Sequence, residues 1–336
     1  MPAGEEGLTG TLTPSLYLSP ACGGGKSGGG DCQGRTNSAS HVFEIFGIPS
    51  QALFSMLLLG AINGAFYAMM SLGLALIFGM LNIINFTHGA QYMMGAFAAW
   101  MLLNYAGMSY WAALILAPIA VAFSGLVLER LFLRHLYHLD HLYGFLLTFG
   151  VSLLIEGALR EQYGVSGQPF QVPESLRGGV NVGFMFLPNY RLWVISASLT
   201  VCLAIWYVIE RTRLGSYLRA GTENPVLVQA FGINIRRMIT LTYMLGVGLA
   251  AFAGVLAAPI YQVSSIMGAN IIPIIFAVVV IGGMGSIMGS IVTGFVLGLI
   301  EAFTKLIWPE ASAVVIFVVM VAILLVRPQG LFGVRG

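Results

Sequence analysis

No aspartate, glutamate, lysine or arginine occurs from Ile45 to Leu128, and none from Met238 to Ile300. These two runs constrain the fold more than any other feature of the chain. A soluble globular domain carries about 25% charged residues, whereas this chain carries 8%. One bilayer-spanning helix takes about 20 apolar residues, so each run must cross a membrane several times. In hydrocarbon every backbone N–H and C=O has to be satisfied inside the protein, which leaves helices or a closed barrel. The runs are rich in glycine and lack the alternation of about ten residues that marks a barrel strand. The expected fold is all-α, a polytopic transmembrane helical bundle.

Apolar stretches and their breakers place spans at about 51–79, 88–106, 110–128, 143–160, 191–209, 238–261, 272–285, 287–307 and 312–326. This makes eight or nine crossings, because glycines interrupt 272–307. Short loops rich in Lys and Arg stay in the cytosol. Arg130 and Arg134 follow the third span, five arginines fill 210–237, and Arg327 and Arg335 lie in the C-terminal tail. The opposite loops, 161–190 and 306–311, hold only Arg177 as a basic residue. The arginine-rich side is therefore expected to be cytoplasmic.

Residues 1–42 differ in kind. Their Gly/Ser-rich stretch, including "ACGGGKSGGGDCQG", has no apolar run, so a disordered or non-native tail is expected, with the native chain starting near Val42 and a transmembrane domain over 43–336. The "GGGKS" is not a phosphate loop, since the required first glycine is Pro20. The cysteines suggest no disulfide framework, and a net charge of +2 suggests no nucleic-acid partner.

The loop 210–237 gathers seven of the 28 formally charged side chains. Asn224-Pro225 reads as a helix start, because Asn caps and Pro at the first position loses only an N–H that has no partner there. Gly232 is placed to end that helix in a left-handed conformation. Leu227, Ala230 and Phe231 fall on one face between these marks. The result is a two-turn helix outside the membrane, which either docks a partner or lies on its own bundle.

Four stretches together carry a resemblance: "RAGTENPVLVQAFGINIRRM" (219–238), "GLALIFGMLNIINFTHGAQYMMGAF" (73–97), "AGVLAAPIYQVSSIMGANIIPIIFAVVVIGGMGSIMGSIVTGFVLGLIE" (253–301) and "RPQGLFG" (327–333). Over about 43–333 the chain resembles permease subunits of ABC importers of branched-chain amino acids, the LivH type. The resemblance implies a non-enzymatic subunit in the bacterial inner membrane. It implies that 210–237 is an ATPase-coupling loop, with Arg219, Gly221, Asn224, Pro225, Leu227, Ala230, Phe231 and Gly232 at the docking helix. It also implies a homologous second permease, two cytoplasmic ATPase subunits that carry ATP and Mg, and a periplasmic substrate-binding protein. This chain is expected to bind no cofactor and no metal. Relatives of the family also serve urea, short amides or aromatic acids, so the substrate stays open.

Two broken segments point to the path. "NIINFTHG" sets Asn82, Asn85, Phe86, Thr87, His88 and Gly89 between apolar runs, and "IGGMGSIMGS" sets Gly282, Gly283 and Ser286 in the second half. Unwound backbone at membrane depth is tolerated where protein buries it or it lines a wet cavity, and paired interruptions point to a transport site. The other reading is close helix packing, since Gly285/Gly289 and Gly294/Gly298 are spaced G-x-x-x-G. The Gly-rich 282–289 is no dinucleotide fingerprint, because its spacing and its apolar context are both wrong.

Glu156 precedes Arg160 by four residues, and Glu301 precedes Lys305 likewise, so two intramembrane ion pairs are expected to anchor helix depth. His135, His138, Asp140 and His141 of "RHLYHLDHL" (134–142) could be drawn as a metal site, but they lie in a short cytoplasmic loop to which the sequence assigns no fixed geometry, and no metal is expected. A self-sufficient channel or secondary transporter is the competing class. It would have to work without a carboxylate across 45–128 or 238–300. An intramembrane protease is disfavoured because no Gly-x-Ser-Gly surrounds Ser286 or Ser290 and no Asp pair lies within any span.

Overall fold

The computed structural model describes residues 44–45, 48–81, 85–137, 139–181, 186–223 and 225–333. Asn82, His138, Asn224 and the tail expected at 1–42 lie outside them. Among the described residues the chain is nearly all helix. The strands are a two-residue hairpin, β1 (Glu44–Ile45) with β2 (Ile48–Pro49), and a short antiparallel pair, β3 (Gly179–Asn181) with β4 (Phe186–Pro188).

The helices follow the hydropathy closely: α1 (Ser50–Leu81), α2 (Thr87–Asn104), α3 (Tyr110–Leu128), α4 (Arg134–Leu136), α5 (His141–Tyr163), α6 (Asn189–Arg211), α7 (Arg213–Glu223), α8 (Pro225–Ala230), α9 (Ile235–Tyr261), α10 (Met267–Gly282), α11 (Ile287–Ile307) and α12 (Ser312–Val326). A π-helical turn, Glu129–Leu133, joins α3 to α4. Seven of the described helices are long and apolar enough to cross a membrane. The shorter α10 and the more polar α2 pack among them. This is a multi-pass membrane protein. The span expected at 272–285 is shifted, since α10 begins at Met267, takes Pro273 into its second turn and stops at Gly282.

Burial separates the helices by role. In α1, 78% of the apolar window is inside the bundle, against 11% in α5 and 6% in α12. Water exclusion cannot drive association between apolar helices already in lipid, so close packing has to. The longest seam, α1 against antiparallel α11, is built for it. A Cβ on Gly298 would lie 2.3 Å from the Gly64 nitrogen, and one on Gly294 would lie 2.4 Å from the Ala68 nitrogen. Gly95 and Gly254 play the same part between α2 and α9, where an added Cβ would meet Ala251 O at 2.2 Å and Tyr92 O at 2.0 Å.

Candidate functional site

On the arginine-rich side a cavity of about 800 Å³ opens between α1, α6, α7 and the α10–α11 turn. Phe78 and Gly79 come from the end of α1, Trp206 and Glu210 from α6, and Leu218 and Arg219 from α7. The turn supplies Gly285 and Ser286, and the C-terminal segment supplies Phe332 and Gly333. Pieces of all four sequence stretches thus line one cavity.

The turn has a clear local logic. Gly283 and Gly285 adopt φ of +100° and +82°, which a side chain would oppose. Ser286 caps α11, its hydroxyl accepting from the Gly289 N–H at 3.2 Å. The C-terminal segment then docks on the turn backbone to backbone. The Leu331 N–H donates to Ile281 O at 2.8 Å and the Phe332 N–H to Gly282 O at 3.1 Å. Gly330, at φ +80°, has room for no side chain, because a Cβ there would lie 2.6 Å from the Gly283 nitrogen. Gly282 and Gly283 therefore form a seat for the tail.

The first broken segment is sealed in protein. Asn85, Thr87 and His88 are all buried. Asn85 Nδ2 donates to the Tyr243 hydroxyl at 3.3 Å, and Asn85 Oδ1 accepts from the Thr87 N–H at 3.1 Å. The Thr87 hydroxyl donates to Thr148 O at 2.9 Å, and His88 Nε2 bonds to Met70 O at 3.0 Å. His88 Nδ1 and Gln91 Oε1 have no partner among the described residues. Phe86 stacks edge-on against Phe145 and Phe149 of α5, and Gly89 meets the Gly268 backbone. The two broken segments lie against one turn of α1, which gives Met70 O to His88 while the Ser71 hydroxyl donates to Ser290 O. They share that turn and do not share a cavity.

In the 210–237 loop, α7 occupies a stretch the sequence left without structure, and Arg219 is tied to Glu210 at 2.9 Å. Gly221 packs close to the Ile235 side chain. α8 starts at Pro225 and is followed by Gly232 at φ +81°. Asn234 then caps α9 by accepting from the Arg237 N–H at 3.1 Å. Val228 is turned inward at 5% exposure, while Leu227 is 56% and Phe231 77% exposed, with Ala230 exposed beside them.

The ion pairs divide. Arg160 and Glu156 meet at 2.5 Å on α5. The pair expected between Glu301 and Lys305 is not formed. The Tyr67 hydroxyl of α1 donates to Glu301 Oε2 at 2.6 Å, and Lys305 is exposed at the helix end. A buried hydroxyl fixed across the α1–α11 seam serves the carboxylate better than a flexible ammonium that can reach water. Sequence reasoning also missed Glu129. It is 2% exposed, with Oε1 accepting from Tyr137 at 2.8 Å and Oε2 from Thr240 at 2.9 Å. Burial, then the bond to Glu129, raises the Tyr137 pKa, so this hydroxyl stays a donor. The available signal was position, since Glu129 is the first charge after the long apolar run.

The family described as "Branched-chain amino acid transport system / permease component" matches residues 56–324. The high-affinity branched-chain amino acid transport system permease protein BraD of Pseudomonas aeruginosa is 30% identical, over 82% of this chain and 94% of that protein. The corresponding LivH of Escherichia coli K12 is 28% identical, over 82% of this chain and 93% of its own length. LivM of the same strain is 25% identical, over 79% of this chain and 67% of that protein.

Proposed function

This chain belongs to the family of branched-chain amino acid transport system permease components, and from that premise we propose that it imports branched-chain amino acids across a bacterial inner membrane as one of two homologous permeases. It hydrolyses nothing itself. Two ATPase subunits dock on the cytoplasmic face and bind ATP and Mg, and a periplasmic protein delivers the substrate. The observation that carries this reading is the family match over 56–324, which takes in both glycine seams, most of the cavity lining and α8. The geometry of α8 supports it: Val228 anchors the helix while Leu227 and Phe231 face outward, an apolar face suited to a groove on another subunit. The cavity lies between this loop and the α10–α11 turn, so a push on α7 and α8 is transmitted to the inner end of α1 and α11.

The test is reconstitution with the second permease, the ATPases and the binding protein encoded beside it. Leucine uptake into proteoliposomes should require ATP and the loaded binding protein. Uptake by this chain alone, without ATP, would replace the importer reading with a self-sufficient carrier.

A further inference from the structure

Three carboxylates on the spanning helices have different fates. Glu156 has Arg160, and Glu129 has a hydroxyl on each oxygen. Glu301 has only the Tyr67 hydroxyl on Oε2, and no described side chain bonds Oε1 or brings a cation to it. It lies six residues from the end of α11, about 9 Å inside the helix, and it is partly exposed. A carboxylate facing lipid there would be costly, so its open oxygen faces a wet or protein-filled space. Asn63 and Tyr261 flank the same α1–α9–α11 corner, their side chains joined at 2.5 Å, and Tyr261 is half exposed. The Tyr261 hydroxyl lies in the fields of both Glu301 and Arg191, a cation on α6. One corner on the side away from the arginine-rich loops thus presents an acid with a free acceptor, an amide and two phenols.

We propose that Glu301, held by Tyr67 and flanked by Asn63 and Tyr261, is a recognition site on the outer part of the path for the α-ammonium group of the transported amino acid. The inference rests on the reading that the chain is an amino-acid permease and adds a residue that recognises the substrate. An ammonium donates to Glu301 Oε1, a charge-assisted bond to an acceptor already oriented by the Tyr67 hydroxyl. The partly buried Phe295 and Ile300 of the same helix suit a branched side chain. An uncharged amide such as urea could donate a hydrogen bond there but would lack the ion pair, so it gains less from the carboxylate than an ammonium does.

The experiment uses the complete complex in proteoliposomes with radiolabelled leucine and loaded binding protein. Glu301→Gln removes the charge and keeps the shape, so leucine uptake should fall at least about tenfold. ATP hydrolysis and recovery of the second permease should stay at the wild-type level. Glu301→Asp should restore part of the uptake, while Lys305→Gln should leave it unchanged. If Glu301→Gln carries leucine as the wild type does, the site is wrong while the permease reading stands. If Glu301→Gln releases the second permease, the carboxylate serves a cation of that subunit and the proposal falls. Tyr67→Phe, which leaves the charge in place, then checks the outcome independently: unaltered leucine uptake in an assembled complex also overturns the site. If the wild-type complex carries another amino acid and not leucine, the comparison is made with that amino acid. If it carries none, the permease reading fails first.

Discussion

At the scale of single residues, exposure and chemistry disagree most at Phe231. A phenyl ring 77% exposed at the end of a six-residue helix gains nothing from its own fold. Neighbouring Val228 has used the space against the bundle. If the ring fills a groove on an ATPase subunit, its truncation costs about 2 kcal/mol or more, which weakens association about thirtyfold. Phe231→Ala should therefore release the ATPases from detergent-purified complex and leave the second permease bound. Quantification of each subunit after affinity purification decides it, and full retention of the ATPase would assign α8 a role other than docking. Arg236→Gln should cost far less, because exposed charge is screened by salt and contributes little to affinity.

At the scale of elements, the C-terminal segment and the α10–α11 turn are one unit, held by backbone contacts that only glycines permit. Gly330→Ala places a methyl 2.6 Å from the Gly283 nitrogen and forces an L side chain to φ +80°, the second effect alone costing about 1–2 kcal/mol. The segment should lift off. Hydrogen exchange reads this directly, because the Leu331 and Phe332 amides donate to Ile281 and Gly282 and should lose protection. Gly178→Ala, at φ +91° with open space around it, should leave those amides unchanged. Protected amides in Gly330→Ala would show that the seat tolerates a side chain.

The same elements show what the sequence could say. Spans 110–128, 287–307 and 312–326 agree with α3, α11 and α12 to the residue, because each lies between a polar or proline breaker and a charge. α10 was displaced because Pro273 reads as a boundary, whereas the helix absorbs it within its second turn. α8 is legible from its proline and the glycine that follows it, while α7 carries no comparable marks. Long-range partners were out of reach. Tyr67 displaces Lys305 at Glu301 across 234 positions of sequence, and Thr240 meets Glu129 across 111. An i,i+4 rule sees only one helix, so it found the pair on half-exposed α5 and failed on α11, where another helix supplies the donor.

At the scale of the whole molecule, one asymmetry organises the rest. The π turn after α3, the α7–α8 loop, the α10–α11 turn and the C-terminal segment gather at one end of the bundle with Arg130, Arg134, Arg211, Arg213, Arg219, Arg236, Arg237 and Arg327. The β3–β4 pair and the loop that carries Arg177 lie at the other. If lysine and arginine hold loops in the cytosol, the cavity, the tail seat and α8 all face the cytosol, and Glu301 lies toward the opposite face. Tyr217, Gln329 and Ser175 are exposed markers of the two ends. Cys202 is buried, so Cys22→Ser and Cys32→Ser give a background free of accessible thiols. In intact cells Tyr217→Cys and Gln329→Cys should resist a membrane-impermeant maleimide until the membrane is opened, while Ser175→Cys should label at once. Tyr217→Cys and Gln329→Cys have to behave alike, since the same cavity holds parts of α7 and the tail. If both label in intact cells and Ser175→Cys does not, the orientation is inverted, and the docking role of α8 and the outer placement of Glu301 fall together.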